Sequence, residues 1–451
     1  MSKTKTLDLT SGPILKTLAG LALPIMASSF LATAYNLTDM AWIGMLGSKA
    51  VAGVGVGGMY VWLSQGLVAL ARMGGQVNVA QCCGSGETEK ARWYSGAALQ
   101  LTILFGVLFA AVCLIFTDPL IAIFNVADPE TLASAEAYMR ITCGLTIFPF
   151  LTLTLTGLYT AQGDSRTPFF ANLAGLAANM ILDPLIILGI GPFPRLEAAG
   201  AAIATTTSQF LVLVVLVAGV FRTGGDTNIL KGIRLFTRIP AEYFESICRI
   251  GIPTALQSMA YCGISMVLTR FVSGFGAGAI ATFRVGGQIE SVSWNTADGF
   301  GAALNAFVGQ NYGAKKSDRI REGYRISLRL LIIWGLVITI AFVCFPGPIA
   351  NLFFHEPDVI EIATEYLMVL GFSELLMCVE LMTIGALSGL GMTKLCSTIS
   401  ITLTGARIPL AFLLIQMGAG PAGVWWAMTI TSICKGIIFY LTFKRISKKW
   451  D

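Results

Sequence analysis

The chain has 451 residues, of which 55% are hydrophobic and only 12% are charged. Soluble domains carry roughly 25% charged residues, so this composition excludes an ordinary soluble globule. The mean hydropathy is +0.74, and the ten cysteines are scattered through apolar segments, which excludes a disulfide-stapled secreted fold. The formal net charge of +5 says less than its distribution along the chain. These properties predict an all-α membrane protein.

Apolar windows of about 20 residues predict twelve transmembrane helices. Several windows exceed the minimal length and must tilt, kink or protrude. In chain order the predicted spans are 17–44, 51–80, 93–117, 132–160, 167–190, 197–221, 244–272, 279–309, 323–345, 360–389, 395–418 and 421–443.

Lysine and arginine fall on one side of the membrane if the N-terminus is cytoplasmic. They concentrate in the loops at 82–92 and 222–243, whereas the opposite loops hold Asp118, Asp128 and Glu130. This asymmetry follows the positive-inside rule and predicts an inner (cytoplasmic) membrane protein with both termini in the cytoplasm. The basic loops are interleaved with acids, so no nucleic-acid partner is expected.

The chain repeats itself at an offset of 229 positions. Pro24 aligns with Pro253, Gly57-Gly58 with Gly286-Gly287, and Pro119 with Pro348. Six spans in each half give both halves the same orientation. The predicted architecture is two parallel six-helix lobes around a central cleft. The predicted bounds are 1–221 for the first lobe, 222–243 for a cytoplasmic linker and 244–451 for the second lobe.

Sequence motifs give no sign of an enzyme. The segment from Gly53 to Gly58 has a GxGxxG spacing, but it opens a membrane helix rather than a βαβ unit, which favours close helix packing. The only histidine is His355, in a predicted outer loop, so a histidine-dependent triad is excluded. We expect no enzymatic activity and no cofactor other than a coupling ion.

Two aspartates lie inside predicted spans, where an ionisable group is expensive unless it is paired or functional. Asp39 follows Tyr35 by four residues, and Asp183 follows Asn179 by four, so each aspartate shares a helix face with a polar partner. Both aspartates fall in the outer half of the first lobe and could share a proton or hold a small cation. Local capping is the alternative, but the matching depth favours function.

The second lobe also carries acids within its spans. Glu290 lies on the eighth span, Glu374 and Glu380 on the tenth, with Arg284 and Arg407 as candidate counter-charges. For Glu290, the sequence favours neither of two roles over the other: a structural ion pair that fixes the helix register, or a function in transport. Because Glu374 and Glu380 are six residues apart, at most one of them is expected to face the cleft.

The combination of twelve spans and particular polar motifs resembles the multidrug and toxic compound extrusion (MATE) family over essentially the whole chain. The motifs are Asn36-x-x-Asp39 before Trp42-Ile43-Gly44, Gln162-Gly163-Asp164-Ser165-Arg166-Thr167-Pro168, and Asn179-x-x-x-Asp183-Pro184. The second and third motifs together are the most specific.

The resemblance implies an antiporter, embedded in the lipid bilayer, that exports amphipathic organic cations by alternating access, coupled to H⁺ or Na⁺. It implies an ion-coupling site, with possible Na⁺ at the two aspartates, formed by Tyr35, Asp39, Asn179, Asp183 and Thr205. Candidate residues of the substrate cleft are Asn36, Gln257, Glu290, Glu374 and Glu380. Gln257 marks a departure, because one branch of the family has a glutamate on the seventh span. A monomer is expected.

Two other functions remain open from the sequence. A flippase for lipid-linked sugars would share the architecture, but its cleft is expected to carry a basic ring, whereas the first lobe offers acids. An intramembrane aspartyl protease would use paired carboxylates, but the aspartates lack a GxGD-type context and a two-lobed repeat is not needed for catalysis.

Overall fold

The computed structural model describes residues 7–124, 128–222, 229–233, 235–354 and 356–450. It leaves out the side chains of Asn36, Leu37, Met40, Ala41, Ser48 and Arg222. Of the predicted features, residues 223–228 and 234 of the linker, His355 and the Asn36 side chain therefore lie outside the description. Helices make up 88% of the structure, and no strand occurs in the described ranges. The all-α fold class is confirmed.

Eight α-helices form the described part of the first half of the chain. They are α1 Ile14–Gly44, α2 Ser48–Ser85, α3 Thr88–Ile115, α4 Thr117–Ala122, α5 Pro129–Gly144, α6 Ile147–Ala161, α7 Arg166–Ile187 and α8 Glu197–Arg222. A 3₁₀ turn, Ile229–Gly232, follows α8. Asp128 caps α5 by accepting the Thr131 N–H at 2.9 Å, with Pro129 at the first helical position, as expected for a helix start.

Eight further α-helices form the second half, as far as the structure describes it. They are α9 Ala241–Ser273, α10 Ala277–Gly313, α11 Ser317–Cys344, α12 Pro346–Phe353, α13 Pro357–Gly389, α14 Thr393–Gly405, α15 Arg407–Leu414 and α16 Ala422–Ser447. A π-helical turn, Ile415–Ala419, follows α15, and a 3₁₀ turn, Lys448–Trp450, follows α16.

Each of the twelve predicted spans falls on a helix or on a broken helix. By length and composition, ten helices of the described ranges can cross a membrane, and the α5–α6 pair, bent by 45°, makes eleven. The remaining predicted span, 279–309, is the eighth in chain order; it lies in the 37-residue helix α10 but is too polar to count as an apolar span. The chain is a multi-pass membrane protein.

The helix bounds repeat at the predicted offset. Helix α3 spans Thr88–Ile115 and α11 spans Ser317–Cys344, a shift of 229 residues at both ends. A short helix also follows in each half, α4 after α3 and α12 after α11. The two halves diverge later, because the fourth span bends between α5 and α6 whereas α13 is continuous over 33 residues.

Glycines of the GxGxxG segment pack α2 against α5. A Cβ on Gly53 would lie 2.8 Å from the Thr131 carbonyl oxygen, and one on Gly57 would lie 2.8 Å from the Ala135 carbonyl oxygen. Only glycine permits so close an approach of the two backbones. Helix packing therefore accounts for this segment, as the sequence predicted.

Contacts divide the chain into two compact units. The first unit comprises Met1–Asp8 and Ala27–Ala255, and the second comprises Leu9–Met26 and Leu256–Asp451. These bounds differ from the predicted lobes because α1 and α9 are each divided between the units, after residues 26 and 255. The two division points are themselves 229 residues apart, so they follow the repeat rather than the linker. The predicted lobe bounds stay a prediction.

Candidate functional site

The first unit holds a buried carboxyl group on α7. Asp183 and Asn179 are both 0% exposed, and the Asn179 Nδ2 donates a hydrogen bond to Asp183 Oδ1 at 3.0 Å. The four-residue spacing within one helix produces this contact, as the sequence predicted. The other carboxyl oxygen, Asp183 Oδ2, has no hydrogen-bond partner.

A second carboxyl group lies near the first. Asp39, on α1, is half-buried, and it is close enough to Asp183 for the two charges to interact. Among the described residues, no lysine or arginine interacts electrostatically with either carboxyl. Two carboxyl groups thus share one region without a basic counter-charge.

Hydroxyl groups complete this region. The Tyr35 hydroxyl lies beside Thr205 and within electrostatic reach of Asp39 and Asp183. Tyr138, on α5, interacts with both aspartates and is only 8% exposed. We call these six residues the acidic cluster: Tyr35, Asp39, Tyr138, Asn179, Asp183 and Thr205.

Within the part of the chain that the structure describes, the acidic cluster contains five buried oxygen atoms without a hydrogen-bond partner. They are Tyr35 Oη, Asp39 Oδ1, Asn179 Oδ1, Asp183 Oδ2 and Thr205 Oγ1. Each of the five predicted ion-coupling residues supplies one of these atoms. Carboxylate, amide and hydroxyl oxygens are the ligands that hard cations prefer, and a carboxylate oxygen also accepts a proton. The arrangement can therefore bind a proton or a small cation.

Sequence reasoning missed Tyr138. Its position within a predicted span gave no sign that it would meet Asp39, because the contact joins two helices about 100 residues apart in the chain. A tyrosine inside a span, separated from the aqueous interface, is the one signal that could have raised it. Asn36 was predicted to line the substrate cleft, and its side chain lies outside the described part of the structure.

The second unit holds a different group of charges. The Lys435 Nζ lies 2.8 Å from Glu380 Oε1, and both side chains are almost fully buried. The Arg407 guanidinium donates to Thr431 Oγ1 at 3.0 Å and to Ser432 Oγ at 2.9 Å. Buried cations here have partners on neighbouring helices.

Two more glutamates belong to this region, Glu290 beside the cations and Glu374 beside Glu290. The Tyr366 hydroxyl donates to Glu290 Oε2 at 3.5 Å, and Arg407 is an electrostatic neighbour of Glu290. Glu374 is 0% exposed, and neither of its carboxyl oxygens has a hydrogen-bond partner. We call this group the ion-paired cluster: Glu290, Tyr366, Glu374, Glu380, Arg407 and Lys435.

The structure locates the remaining predicted residues of the second unit. Gln257, on α9, accepts a hydrogen bond from the Ser397 hydroxyl at 3.2 Å. Arg407 lies near Glu290, as its suggested role as a counter-charge requires, whereas Arg284 is exposed. The partner of Glu380 is Lys435, which the sequence analysis did not single out although it is ionisable and inside a predicted span. The assignment of these residues to a substrate cleft stays a prediction.

The profile of the MatE family matches residues 24–185 and 253–413, most of the chain in two copies that begin 229 residues apart. The chain belongs to the MATE family. It is 28% identical over 446 residues to a probable multidrug resistance protein NorM of Thermotoga maritima, covering 97% of this chain and 93% of the relative. It is 27% identical to an FAD transporter of Shewanella oneidensis, covering 97% and 96%.

Solved structures share the MATE fold. An outward-facing MATE transporter superimposes with a TM-score of 0.90 at 22% identity, covering 100% of this chain and 99% of the other. A transporter of the MOP superfamily from Pyrococcus furiosus, described as having a binding pocket of reverse polarity, superimposes with a TM-score of 0.91 at 22% identity over the same shares. The chain thus has the fold of these transporters as well as the MATE family profile.

Proposed function

We propose that this chain is an H⁺- or Na⁺-coupled antiporter that exports amphipathic organic cations by alternating access. The observation that carries the proposal is the set of five unpartnered oxygens in the acidic cluster. Buried polar atoms normally have partners, and a carboxyl without a basic neighbour is costly inside a membrane. A bound proton or cation removes this cost, so the cluster is suited to a coupling ion.

Ion binding at the acidic cluster changes local hydrogen bonding. A protonated Asp183 Oδ2 becomes a donor, whereas the ionised group only accepts. A bound Na⁺ instead draws oxygens from α1, α7 and α8 toward one point. Either event stabilises one arrangement of these helices over another, and a coupling ion shifts a conformational equilibrium only by such a difference in affinity.

Organic cations are the proposed substrates. Antiport requires that the substrate and the coupling ion favour opposite states. Relatives named for multidrug resistance and for FAD transport indicate that substrates differ within the family. The acidic cluster lies in the first unit and would attract a cationic substrate as well as a small ion, so both can compete for the same charge.

Reconstitution tests the proposal directly. Purified protein in liposomes is given a pH gradient or, separately, a Na⁺ gradient, and accumulation of ethidium is followed by fluorescence. We expect wild-type protein to accumulate ethidium under one of the two gradients, which identifies the coupling ion. Asp39→Asn and Asp183→Asn keep side-chain shape but lose the charge, and we expect accumulation to fall to that of protein-free liposomes. Ethidium accumulation at the wild-type rate by the double variant, Asp39→Asn/Asp183→Asn, would contradict the proposal.

We also propose that the chain lies in the inner membrane with both termini in the cytoplasm. The support is the concentration of lysine and arginine in the loops at 82–92 and 222–243. Single cysteines introduced there, with Cys344 and Cys434 replaced by serine because they are exposed, should resist an impermeant thiol reagent in intact cells. Ready labelling would reverse the topology.

A further inference from the structure

The segment between α8 and α9 runs along the side of α3 and turns back. A Cβ on Gly232 would lie 2.8 Å from Arg92 Cζ, near the start of α3. A Cβ on Gly96, one turn further along α3, would lie 3.7 Å from Ile233 Cγ2 and 3.1 Å from Ile239 Cδ1. The two arms of the segment therefore meet α3 at the same level, and the turn between them lies beyond it.

One side chain fixes this turn to α3. The Gln100 Nε2 donates hydrogen bonds to the Leu235 carbonyl oxygen at 2.7 Å and to the Thr237 carbonyl oxygen at 3.0 Å. These bonds hold the backbone on both sides of Phe236, whose side chain is 97% exposed. A large apolar ring thus projects from a backbone that is held in place.

The turn lies on an apolar, exposed side of α3. Gln100 shares a helix face with Leu104, Val107 and Leu108, at spacings of four, seven and eight residues. These three side chains are 57–58% exposed. Exposed apolar side chains on a membrane-spanning helix contact the acyl chains of the lipid. Phe236 is therefore presented beside the surface of α3 that faces lipid.

The turn lies at the level of the lipid headgroups. Two successive glycines of α2 pack against Ala98 of α3 and against Ile247 of α9, so these two residues are level. Gln100 is two residues further along α3 and is therefore level with about Arg249. The next 20 residues of α9, 250–269, carry no charge, and about 20 residues cross the hydrocarbon core. The turn is thus next to the edge of that core.

Two cations flank the turn. Lys231 precedes it, Arg238 follows it, and both side chains are exposed. An apolar ring between cations is typical of a segment that lies in the membrane interface, because the ring enters the acyl boundary while the cations stay with the phosphates. Anionic lipids attract each such cation further.

We propose that Lys231, Phe236 and Arg238 form an anchor that binds anionic phospholipid. Phe236 inserts between acyl chains at the edge of the leaflet, and the two cations bind the headgroup phosphates. Gln100 is the positioning residue, since it holds the turn that carries the ring. The contacts lie within the first unit and involve no coupling ion, so the proposal does not depend on antiport. A second copy of the chain or an aqueous position of the ring are the outcomes that contradict it.

Spin labels measure whether position 236 lies in lipid. Phe236→Cys is made with Cys344 and Cys434 replaced by serine because they are exposed, and is labelled with a nitroxide in phosphatidylcholine–phosphatidylglycerol liposomes. We expect higher accessibility to oxygen, which partitions into lipid, than to a water-soluble nickel chelate, as for a label at Leu104→Cys. Glu89→Cys, exposed at the start of α3, is the aqueous control. Accessibility like that of the Glu89 label, or dipolar coupling between labels of two copies, would overturn the proposal.

A second measurement tests the two cations. Phosphatidylglycerol or phosphatidylcholine is added to purified protein in neutral detergent micelles, and the thermal unfolding temperature is followed. Lys231→Gln/Arg238→Gln should need about 30-fold more phosphatidylglycerol than the wild type for the same rise, with no difference in phosphatidylcholine. Lys448→Gln/Lys449→Gln, two exposed lysines of the second unit, is the matched control and should respond as the wild type does. Equal responses of the two double variants, including no response in either, would overturn the proposal.

Discussion

The two halves of the chain share a helix order but place their charges differently. Among the described residues, the acidic cluster has two carboxyl groups and no basic neighbour, whereas the ion-paired cluster sets two cations beside Glu290 and Glu380. At the offset of 229, Asp39 corresponds to Leu268 and Asp183 to Phe412. In the reverse direction, Glu374 and Glu380 correspond to leucines, at positions 145 and 151. Neither half carries the other's cluster.

This difference separates two uses of buried charge. A carboxyl that is already paired with a lysine gains little from an added ion, since its electrostatic demand is met. A carboxyl with open acceptor positions gains the full interaction with a proton or cation. We therefore expect ion coupling to depend on the acidic cluster and structural integrity to depend on the Lys435–Glu380 pair of the ion-paired cluster.

The largest expected effect is on transport, which should depend on the acidic cluster and not on the Lys435–Glu380 pair. Asp183→Asn should abolish gradient-driven accumulation, because an amide cannot take up and release the coupling proton or balance a cation. The charge-neutral double variant Glu380→Gln/Lys435→Met should retain gradient-driven accumulation. Ethidium uptake per folded molecule in liposomes measures both. Loss of coupling in the double variant with retention in Asp183→Asn would reverse the assignment of the two clusters.

The next effect is on stability. Lys435→Met alone leaves the buried Glu380 carboxyl without its partner at 2.8 Å, and breaking a buried pair costs about 3–5 kcal/mol. Adding Glu380→Gln removes the unpaired charge and should restore most of the loss. Unfolding in mixed micelles of increasing denaturing detergent measures the free energy. Equal stability of the single variant and the wild type would show that the pair contributes no net stability.

The sequence predicted the acidic cluster better than the ion-paired cluster. Tyr35 and Asn179 were predicted to belong to the site because each lies four residues from an aspartate on the same helix. This spacing places two residues on one helix face, so the pairs can be identified from the sequence alone. Lys435 and Tyr138 were missed because their contacts join distant helices, and no local pattern encodes such pairs. Each predicted span falls on a helix, because the length of an apolar segment is enough to predict a membrane helix.

Helix irregularities were beyond the sequence reading. The span predicted at 132–160 is bent by 45° between α5 and α6, and the one predicted at 395–418 breaks into α14, α15 and a π-helical turn. Hydropathy measures apolar length and is insensitive to such breaks. Helix α10 was predicted as a membrane span from its apolar segments. Its overall composition is more polar than that of the ten apolar helices.

A smaller effect tests how α2 supports the acidic cluster. Gly57→Ala would place a Cβ 2.8 Å from the Ala135 carbonyl oxygen and 3.2 Å from Tyr138 Cδ1. Such overpacking costs about 1–3 kcal/mol and should displace Tyr138, which lowers the rate of coupled uptake. Gly58→Ala is the matched control, because its nearest neighbour would be Tyr138 Cε1 at 3.9 Å, an ordinary contact. Equal rates in the two variants would show that the position of Tyr138 is unimportant for coupling.

The smallest effect lies at the start of α5, where Asp128 forms a side-chain cap that has no counterpart at the start of α13. The Thr131 hydroxyl and N–H, together with the Lys49 ammonium, hold the pKa of Asp128 below its usual range. A group with a lowered folded-state pKa stabilises the fold above its unfolded pKa, about 3.9 for aspartate, and loses this contribution as the pH falls through the folded value. Asp128→Ala should therefore lower the thermal unfolding temperature slightly at neutral pH, and the difference from wild type should disappear in strong acid. Glu356→Ala, at the α13 start where no side-chain cap forms, should change nothing at either pH, and a difference for Asp128→Ala that persists in acid would exclude the charged cap as its cause.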